Sequence, residues 1–232
     1  MDVKNIDLKS VDHVLRTTRA VRKRLDLSRP VDPATLKECI EIALQAPTGL
    51  IGQTWNFLVI TDAGKRALVA DIYRRAVAPY NEGREVPDEY LSMVAKMPAD
   101  SARQGQLARM FDASRYLTEH MHKVPALVVP CIKGRVEHAS PGAQASLYGS
   151  IFPAIWSFQL ALRARGIGST LTTVHICHEQ EVAKLFNIPE DFTQAALLAV
   201  AYFKGNDFRP AERLPAVSRI HWNGWGNTSV AR

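Results

Sequence analysis

The sequence predicts an α+β fold, and two observations carry this prediction. Several short, continuous apolar runs bounded by polar residues are typical of buried strands. A longer segment, 143–165, is apolar on several sides, which predicts a central buried helix. With 232 residues and a hydrophobic fraction of 47%, the chain can bury a full core, and we expect one domain over 1–232.

The first predicted helix begins at Ser10, a good N-cap, and ends near Thr18, where a basic run over 19–24 follows. The pair Asp32-Pro33 is typical of a second helix start. Pro47 is expected to end that helix.

The predicted buried strands are 57–61, 126–130 and 195–202, although the alanines of the last also permit a helix. Prolines interrupt the charged segment 66–122, which we expect to form helices with irregular connections and to contain a helical lid. Its Met and aromatic residues are predicted to be mostly core. They are Met93, Met97, Met110, Phe111 and Tyr116.

The composition of the chain excludes several classes of protein and of binding partner. No run of eighteen apolar residues and no signal peptide is present, so a cytoplasmic protein without membrane contact is expected. Cys39, Cys131 and Cys177 are odd in number and widely spaced, which predicts buried thiols rather than a disulfide framework. The net charge of +6 is dispersed, and the run 19–24 has no aromatic residue for base stacking, so no nucleic-acid partner is expected.

The sequence predicts neither a metal site nor a nucleotide-binding motif. The segment from His175 to His178 resembles a ligand pair, but it lies at a predicted strand-to-helix junction where His178 can cap the helix. Structural zinc normally requires four ligands, so no metal site is predicted. The chain has no Gly-x-Ser-x-Gly elbow and no phosphate-binding Gly-x-x-x-x-Gly-Lys loop, and 166–168 lacks the third glycine of a dinucleotide fold.

Two arginine clusters, Arg19-Ala20-Val21-Arg22 and Arg213-Leu214-Pro215, lie beside breaks in apolar patterning. Guanidinium groups bind phosphate monoesters through charge-assisted hydrogen bonds. Together with 46–55 and 166–173, in this order, the clusters resemble the FMN-dependent nitroreductase family. The resemblance spans nearly the whole chain. It implies a nitroreductase-like fold, with a central, mainly antiparallel sheet flanked by helices and a long helix at a homodimer interface.

The resemblance also implies a cofactor site. Arg19 and Arg22 match basic positions around the flavin phosphate and ribityl chain, and Arg213 matches the C-terminal phosphate ligand. The loop 47–49 matches the one that meets FMN from the partner subunit, and 171–173 matches the backbone beside flavin N5. The implied cofactor-binding residues are Arg19, Ala20, Val21, Arg22, Pro47, Thr48, Gly49, Gln53, Leu171, Thr172, Thr173 and Arg213.

Three positions depart from the family pattern. Ala20 replaces a serine and removes a hydrogen bond of about 1 kcal/mol. Ile51 replaces an asparagine and Thr54 a proline, and Gln53 could supply some of the lost polar contacts.

The implied activity needs no catalytic side chain, because FMN itself carries the hydride. FMN would accept it at N5 from NADH or NADPH and return it to a nitroaromatic, a quinone or a similar acceptor by a ping-pong mechanism.

Three alternatives remain open. A reductive dehalogenase, for which Glu89, Tyr90 and Lys96 are present at unmatched spacing, or a flavin-fragmenting enzyme would share the fold. The chain could also be a non-catalytic flavin-binding module, in which Ala20 and Ile51 mark lost function. A basic binding protein without flavin is the third.

Overall fold

The computed structural model describes residues 6–49, 54–81 and 102–229. The chain forms two compact units. The larger spans Arg19–Gly205, and the smaller combines the residues before Arg19 with those after Gly205. None of the described helices is both long enough and apolar enough to cross a membrane.

The larger unit contains most of the regular structure. Its helices are α2 (Pro33–Ala43), α3 (Ala63–Asn81), α4 (Ala102–His120), α5 (Pro141–Ala164) and α6 (Glu179–Phe186). Its strands are β1 (Trp55–Ile60), β2 (Ala126–Lys133), β3 (Ile167–Thr172), β4 (Phe192–Gln194) and β5 (Leu197–Tyr202). The smaller unit contains α1 (Leu8–Thr17) and a 3-10 helix, Ala216–Ser218.

The five strands form one sheet in the order β1-β2-β5-β3, and β4 pairs with β2. Every pairing between these strands is antiparallel. One face of the sheet packs with α2 and α5 around a continuous apolar core. The predicted α+β class and antiparallel sheet are confirmed.

The strand β2 is longer than the sequence prediction, which ended it at Pro130. Pro130 has no N–H to donate, yet β2 continues through it to Lys133. The partner strand changes from β4 to β5 opposite this position, where Ala195 donates its N–H to the carbonyl of Pro130 at 2.9 Å. The interruption of the partner strand accommodates the proline. The segment 195–202, which also permitted a helix, forms β5 from Leu197 onward.

The first helix begins earlier than predicted. Asp7, not Ser10, is the N-cap, because its carboxylate accepts hydrogen bonds from the N–H groups of Lys9 and Ser10. The hydroxyl of Ser10 also donates to Asp7 at 2.6 Å. The predicted cap at Asp32 is confirmed, since its carboxylate accepts from Ala34 N–H at 3.1 Å.

Helix α5 is central, as predicted, but it is not buried on all sides. One face packs in the core through Ile151, Phe158 and Leu162. An aromatic stripe at four-residue spacing runs from Tyr148, which is half-buried against the core, to the exposed Phe152 and Trp156. Phe152 is 36% exposed and Trp156 43% exposed. The sequence composition of this helix did not distinguish core from surface, because both faces are apolar.

Two other burial predictions are wrong. Met110 and Phe111 on α4 are exposed rather than core residues, because the buried face of this helix carries Leu117 instead. Cys177 is exposed, whereas Cys39 and Cys131 are buried. Met93 and Met97 of the predicted lid lie outside the described residues, as do Glu89, Tyr90 and Lys96.

Candidate functional site

The arginine segment at the start of the larger unit is attached to the edge of the sheet at β3. Ala20 forms a parallel bridge with Ser169, and the N–H of Val21 donates to the carbonyl oxygen of Ser169 at 2.9 Å. The side chain of Val21 is buried. These contacts fix the backbone between Arg19 and Arg22, so both guanidiniums extend from an anchored segment.

The two glycines near the start of β3 have different roles. Gly166 adopts φ +72, a left-handed conformation that favours glycine and allows the turn from α5 into β3. Gly168 lies within β3, where an added Cβ would stand 3.0 Å from the Cβ of Val21. The second glycine therefore permits the close approach of the arginine segment.

Helix α5 supports the same strand. Gln159 donates from Nε2 to the hydroxyl of Ser169 at 3.0 Å, and both side chains are buried. Sequence reasoning missed Gln159. A polar residue within an otherwise apolar helix was the available signal.

Arg22 is half-buried, and burial lowers the pKa of its guanidinium. The side chain of Arg22 makes no hydrogen bond and no ion pair with any of the described residues. Its neighbours differ in this respect. Lys23 contacts Asp112, and Arg24 donates to the carbonyl of Lys204 at 2.7 Å. Since a half-buried cation is costly without an anion, Arg22 is suited to bind a negatively charged ligand.

The end of β3 lies beside Arg22. Thr172 Oγ1 is 3.2 Å from the Oη of Tyr73, a buried residue on α3. Burial raises the pKa of Tyr73, while the hydrogen bond to Thr172 and the charge of Arg22 lower it. Arg22, Tyr73 and Thr172 therefore form one polar cluster, which we call the Arg22 cluster. Sequence reasoning identified Arg22 and Thr172 but missed Tyr73.

The other two residues of the predicted N5 segment are placed differently. Leu171 is half-buried and packs against the apolar core. Thr173 is exposed and is the N-cap residue of the 3-10 helix Val174–His178. The structure thus brings the predicted residues 19–22 and 171–173 to the same edge of the sheet.

The loop 47–49 lies elsewhere. Thr48 Oγ1 is 3.0 Å from the buried hydroxyl of Ser150, to which Trp55 Nε1 also donates at 3.1 Å. Trp55 belongs to β1, at the opposite edge of the sheet from β3. Three inter-strand spacings separate these edges, a distance of about 14 Å. Pro47, Thr48 and Gly49 are exposed, and within one chain they are not brought to the Arg22 cluster.

The remaining predicted positions are not tested by the geometry of the larger unit. Gln53 and Ile51 lie outside the described residues. Arg213 is exposed and belongs to the smaller unit. Its role as a phosphate ligand stays a prediction.

The segment from His175 to His178 forms the 3-10 helix after β3. His175 is fully buried, and burial lowers its pKa to about 4. Gln194 opposes this shift, yet neither ring nitrogen has a hydrogen bond within the described residues. His178 occupies the N-cap position of α6 without capping it, since its Nδ1 lies 2.9 Å from Glu181 Oε1 instead. No group of three or more metal-ligating side chains occurs among the described residues.

Solved structures and curated sequences show similar proteins. The chain is similar to an iodotyrosine deiodinase structure bound to FMN and 3-iodo-L-tyrosine. The match covers 93% of this chain and 100% of the deiodinase chain, with 19% sequence identity and a TM-score of 0.65. It is also similar to the structure of a mutant of the FMN and NADPH-dependent nitroreductase NfnB from sphigopyxis sp. strain HMH. This match covers 94% of this chain and 100% of the NfnB chain, with 21% sequence identity and a TM-score of 0.66. The 5,6-dimethylbenzimidazole synthase of Rhodospirillum rubrum is 24% identical over 195 residues, 83% of this chain and 80% of that protein.

The antiparallel sheet with a long central helix is the fold that these structures share, and it defines a class of flavin oxidoreductases. The sequence signature of the Nitroreductase family matches residues 15–202, which include the arginine segment and all of β3. The chain belongs to the Nitroreductase family.

Proposed function

We propose that this chain is an FMN-dependent oxidoreductase that uses NADH or NADPH to reduce a nitroaromatic, a quinone or a similar acceptor by a ping-pong mechanism. The observation that carries this proposal is Arg22, a half-buried cation without an anionic partner among the described residues, beside the end of β3. When bound, FMN would accept a hydride at N5 from the nicotinamide and pass it to the second substrate.

The residues at this edge of the sheet fit such a cofactor. Arg19 and Arg22 would supply positive charge to its phosphate and ribityl side, on a backbone that Ser169 holds in place. The exposed end of β3 would supply polar groups from Thr172 and Thr173. Ala20 offers no hydroxyl, so at this position only the backbone is available to FMN.

The protein's part in the reaction is to bind and orient. A fixed cation beside the cofactor offsets the negative charge that the flavin gains on reduction, and it does so without reorganising during the reaction. No acidic or nucleophilic side chain is required by this role.

A homodimer that shares two FMN sites is the second part of the proposal. The loop 47–49 shares the Ser150 hydroxyl with Trp55 of β1, and β1 and β3 are about 14 Å apart in the sheet of one chain. A loop that meets FMN at β3 would therefore have to come from a partner. The exposed aromatic stripe of α5 is a suitable surface for this partner. Large aromatic residues are enriched at interfaces, and a twofold dimer pairs identical surfaces.

The test is an anaerobic visible spectrum of the purified protein before and after NADH or NADPH, followed by a nitroaromatic. We expect a flavin spectrum that the nicotinamide bleaches and the acceptor restores. Free FMN at equal concentration is the control for non-enzymatic reduction. A protein that takes up no added FMN contradicts the proposal, and a bound flavin that neither nicotinamide bleaches indicates a non-catalytic flavin module.

A second candidate is a reductive dehalogenase or another specialised FMN enzyme of the same fold. The similarity to the iodotyrosine deiodinase structure, which this chain covers completely, favours this candidate. Adding 3-iodo-L-tyrosine to the chemically reduced protein distinguishes the two. Iodide release with slow nitroaromatic turnover would indicate the dehalogenase, whereas the reverse would indicate the nitroreductase.

A further inference from the structure

Tyr73 places a hydroxyl group on a buried face of α3 that is otherwise apolar. Its buried neighbours on this helix are Val69, Ala70, Ile72, Ala76 and Val77. The helix packs against the 3-10 helix Val174–His178, directly after the predicted N5 segment. Tyr73 itself is only 3% exposed. The core therefore fixes where its hydroxyl points.

The partner of this hydroxyl is Thr172, at 3.2 Å between Oη and Oγ1. Either oxygen can be the donor in such a pair. Tyr73 is buried, and its hydroxyl has no other hydrogen-bond partner among the described residues. Because a buried hydroxyl proton without an acceptor is costly, the phenolic O–H is best directed to Thr172.

This order leaves Thr172 with a proton of its own. Because Thr172 Oγ1 accepts from Tyr73, its hydroxyl can donate to a further acceptor. Thr172 is half-buried at the end of β3, and Arg22 is half-buried beside it. The end of β3 then offers this donor to a ligand.

We propose that Tyr73 is a positioning residue of the flavin site, which orients the Thr172 hydroxyl at the end of β3. This assignment rests on the proposed function, since it requires FMN at the Arg22 cluster. Tyr73 acts through Thr172 and contacts no substrate.

The test removes the hydroxyl in Tyr73→Phe and measures FMN affinity by fluorescence titration of the apoprotein. We expect a loss of roughly fivefold, the effect of one hydrogen bond. The flavin midpoint potential should also fall, because the Thr172 hydroxyl would no longer be held as a donor where the flavin gains charge. Thr172→Val should lose a similar factor, and the double variant should lose little more than either single variant.

Tyr116→Phe is the matched control, since it removes the hydroxyl of a half-buried tyrosine on α4 that stacks on His120. It should change neither FMN affinity nor midpoint potential. Thermal unfolding of each apoprotein separates a structural effect from a positioning effect. If Tyr73→Phe lowers only the unfolding temperature, or the losses of the two single variants add, the assignment is wrong.

The same titration distinguishes this assignment from the proposed function. A wild-type protein that binds no FMN overturns both. A wild-type protein that binds FMN, together with a Tyr73→Phe variant of equal affinity and equal potential, overturns the role of Tyr73 alone.

Discussion

The N–H of Val21 donates to the carbonyl oxygen of Ser169 at 2.9 Å, and Val21 packs directly on Gly168. This contact joins the arginine segment to β3. Gln159 of α5 stabilises the same part of β3, because its Nε2 donates a hydrogen bond to the Ser169 hydroxyl. The position of Arg22 relative to Thr172 thus depends on Gly168, because a larger residue there would push Val21 away from β3.

Gly168→Ala should weaken both folding and FMN binding. The added Cβ would stand 3.0 Å from Val21 Cβ and 3.1 Å from its Cγ atoms, so the arginine segment must shift. Overpacking of this kind costs about 1–3 kcal/mol of unfolding free energy. Denaturant unfolding and FMN titration measure the two effects. Gly142→Ala is the control, because nothing lies within 4 Å of its added Cβ, and equal behaviour of the two variants would contradict the packing argument.

Arg22→Met should affect folding and binding in opposite directions. Removing a half-buried charge without a described partner relieves its desolvation cost, so the apoprotein should be equally or more stable. Loss of a charge-assisted contact should weaken FMN binding by about 1.5–3 kcal/mol. Thermal unfolding and fluorescence titration measure both. Lys184→Met, at an exposed site on α6, should change neither, and unchanged FMN affinity in Arg22→Met would remove Arg22 from the site.

Arg213→Ala should also weaken FMN binding by about 1.5–3 kcal/mol, because it removes a bidentate phosphate partner. Titration of the apoprotein with FMN measures this loss. Arg219→Ala is the matched control, as another exposed arginine of the smaller unit. If both variants bind FMN as the wild type does, Arg213 is not a phosphate ligand.

Trp156→Glu should convert the proposed dimer into a monomer that retains little flavin. The exposed stripe of α5 would then carry a charge at the centre of the interface, where desolvation is costly. Sedimentation velocity measures the assembly, and the absorbance ratio of flavin to protein measures occupancy. Leu68→Glu, at a 51% exposed site on α3, is the control. A wild-type monomer that holds FMN would contradict the shared site.

Local signals predicted the fold well. The cap at Asp32 and the three strands depend on neighbouring residues, and the sequence shows those neighbours directly. The strand predicted over 126–130 was too short, because the interruption that accommodates Pro130 lies in the partner strand, near Ala195, and β2 continues to Lys133. Ser10 was a reasonable cap by itself, but the helix begins earlier, because the Asp7 carboxylate accepts hydrogen bonds from the N–H groups of Lys9 and Ser10.

The candidate site could be predicted only in part. Short motifs pointed to Arg22 and Thr172, whereas Tyr73 is 99 positions from Thr172 and belongs to no motif. Thr48 and Ser150 are 102 positions apart for the same reason. Such contacts arise from tertiary packing. The apolar pattern of a helix predicts which face is buried, but it does not predict which residue a buried hydroxyl group will bind.

The stability of the protein should fall between about pH 6.5 and pH 4 because of His175. Burial holds its pKa at about 4 in the folded chain, against 6.5 for an unperturbed histidine. As the pH falls through this window, the unfolded chain binds a proton that the folded chain excludes, so the unfolding free energy decreases by up to roughly 3 kcal/mol. Below about pH 4 both states are protonated, and this contribution stays lost.

Denaturant unfolding of the wild type and of His175→Leu from pH 8 to pH 4 isolates this contribution. The variant keeps every other titrating group, so the wild type should lose up to roughly 3 kcal/mol of unfolding free energy relative to the variant as the pH falls through the window. His138→Leu, at an exposed site between β2 and α5, should run parallel to the wild type. Parallel curves for His175→Leu as well would mean that His175 is protonated in the folded protein or accessible to water, in contradiction to its burial.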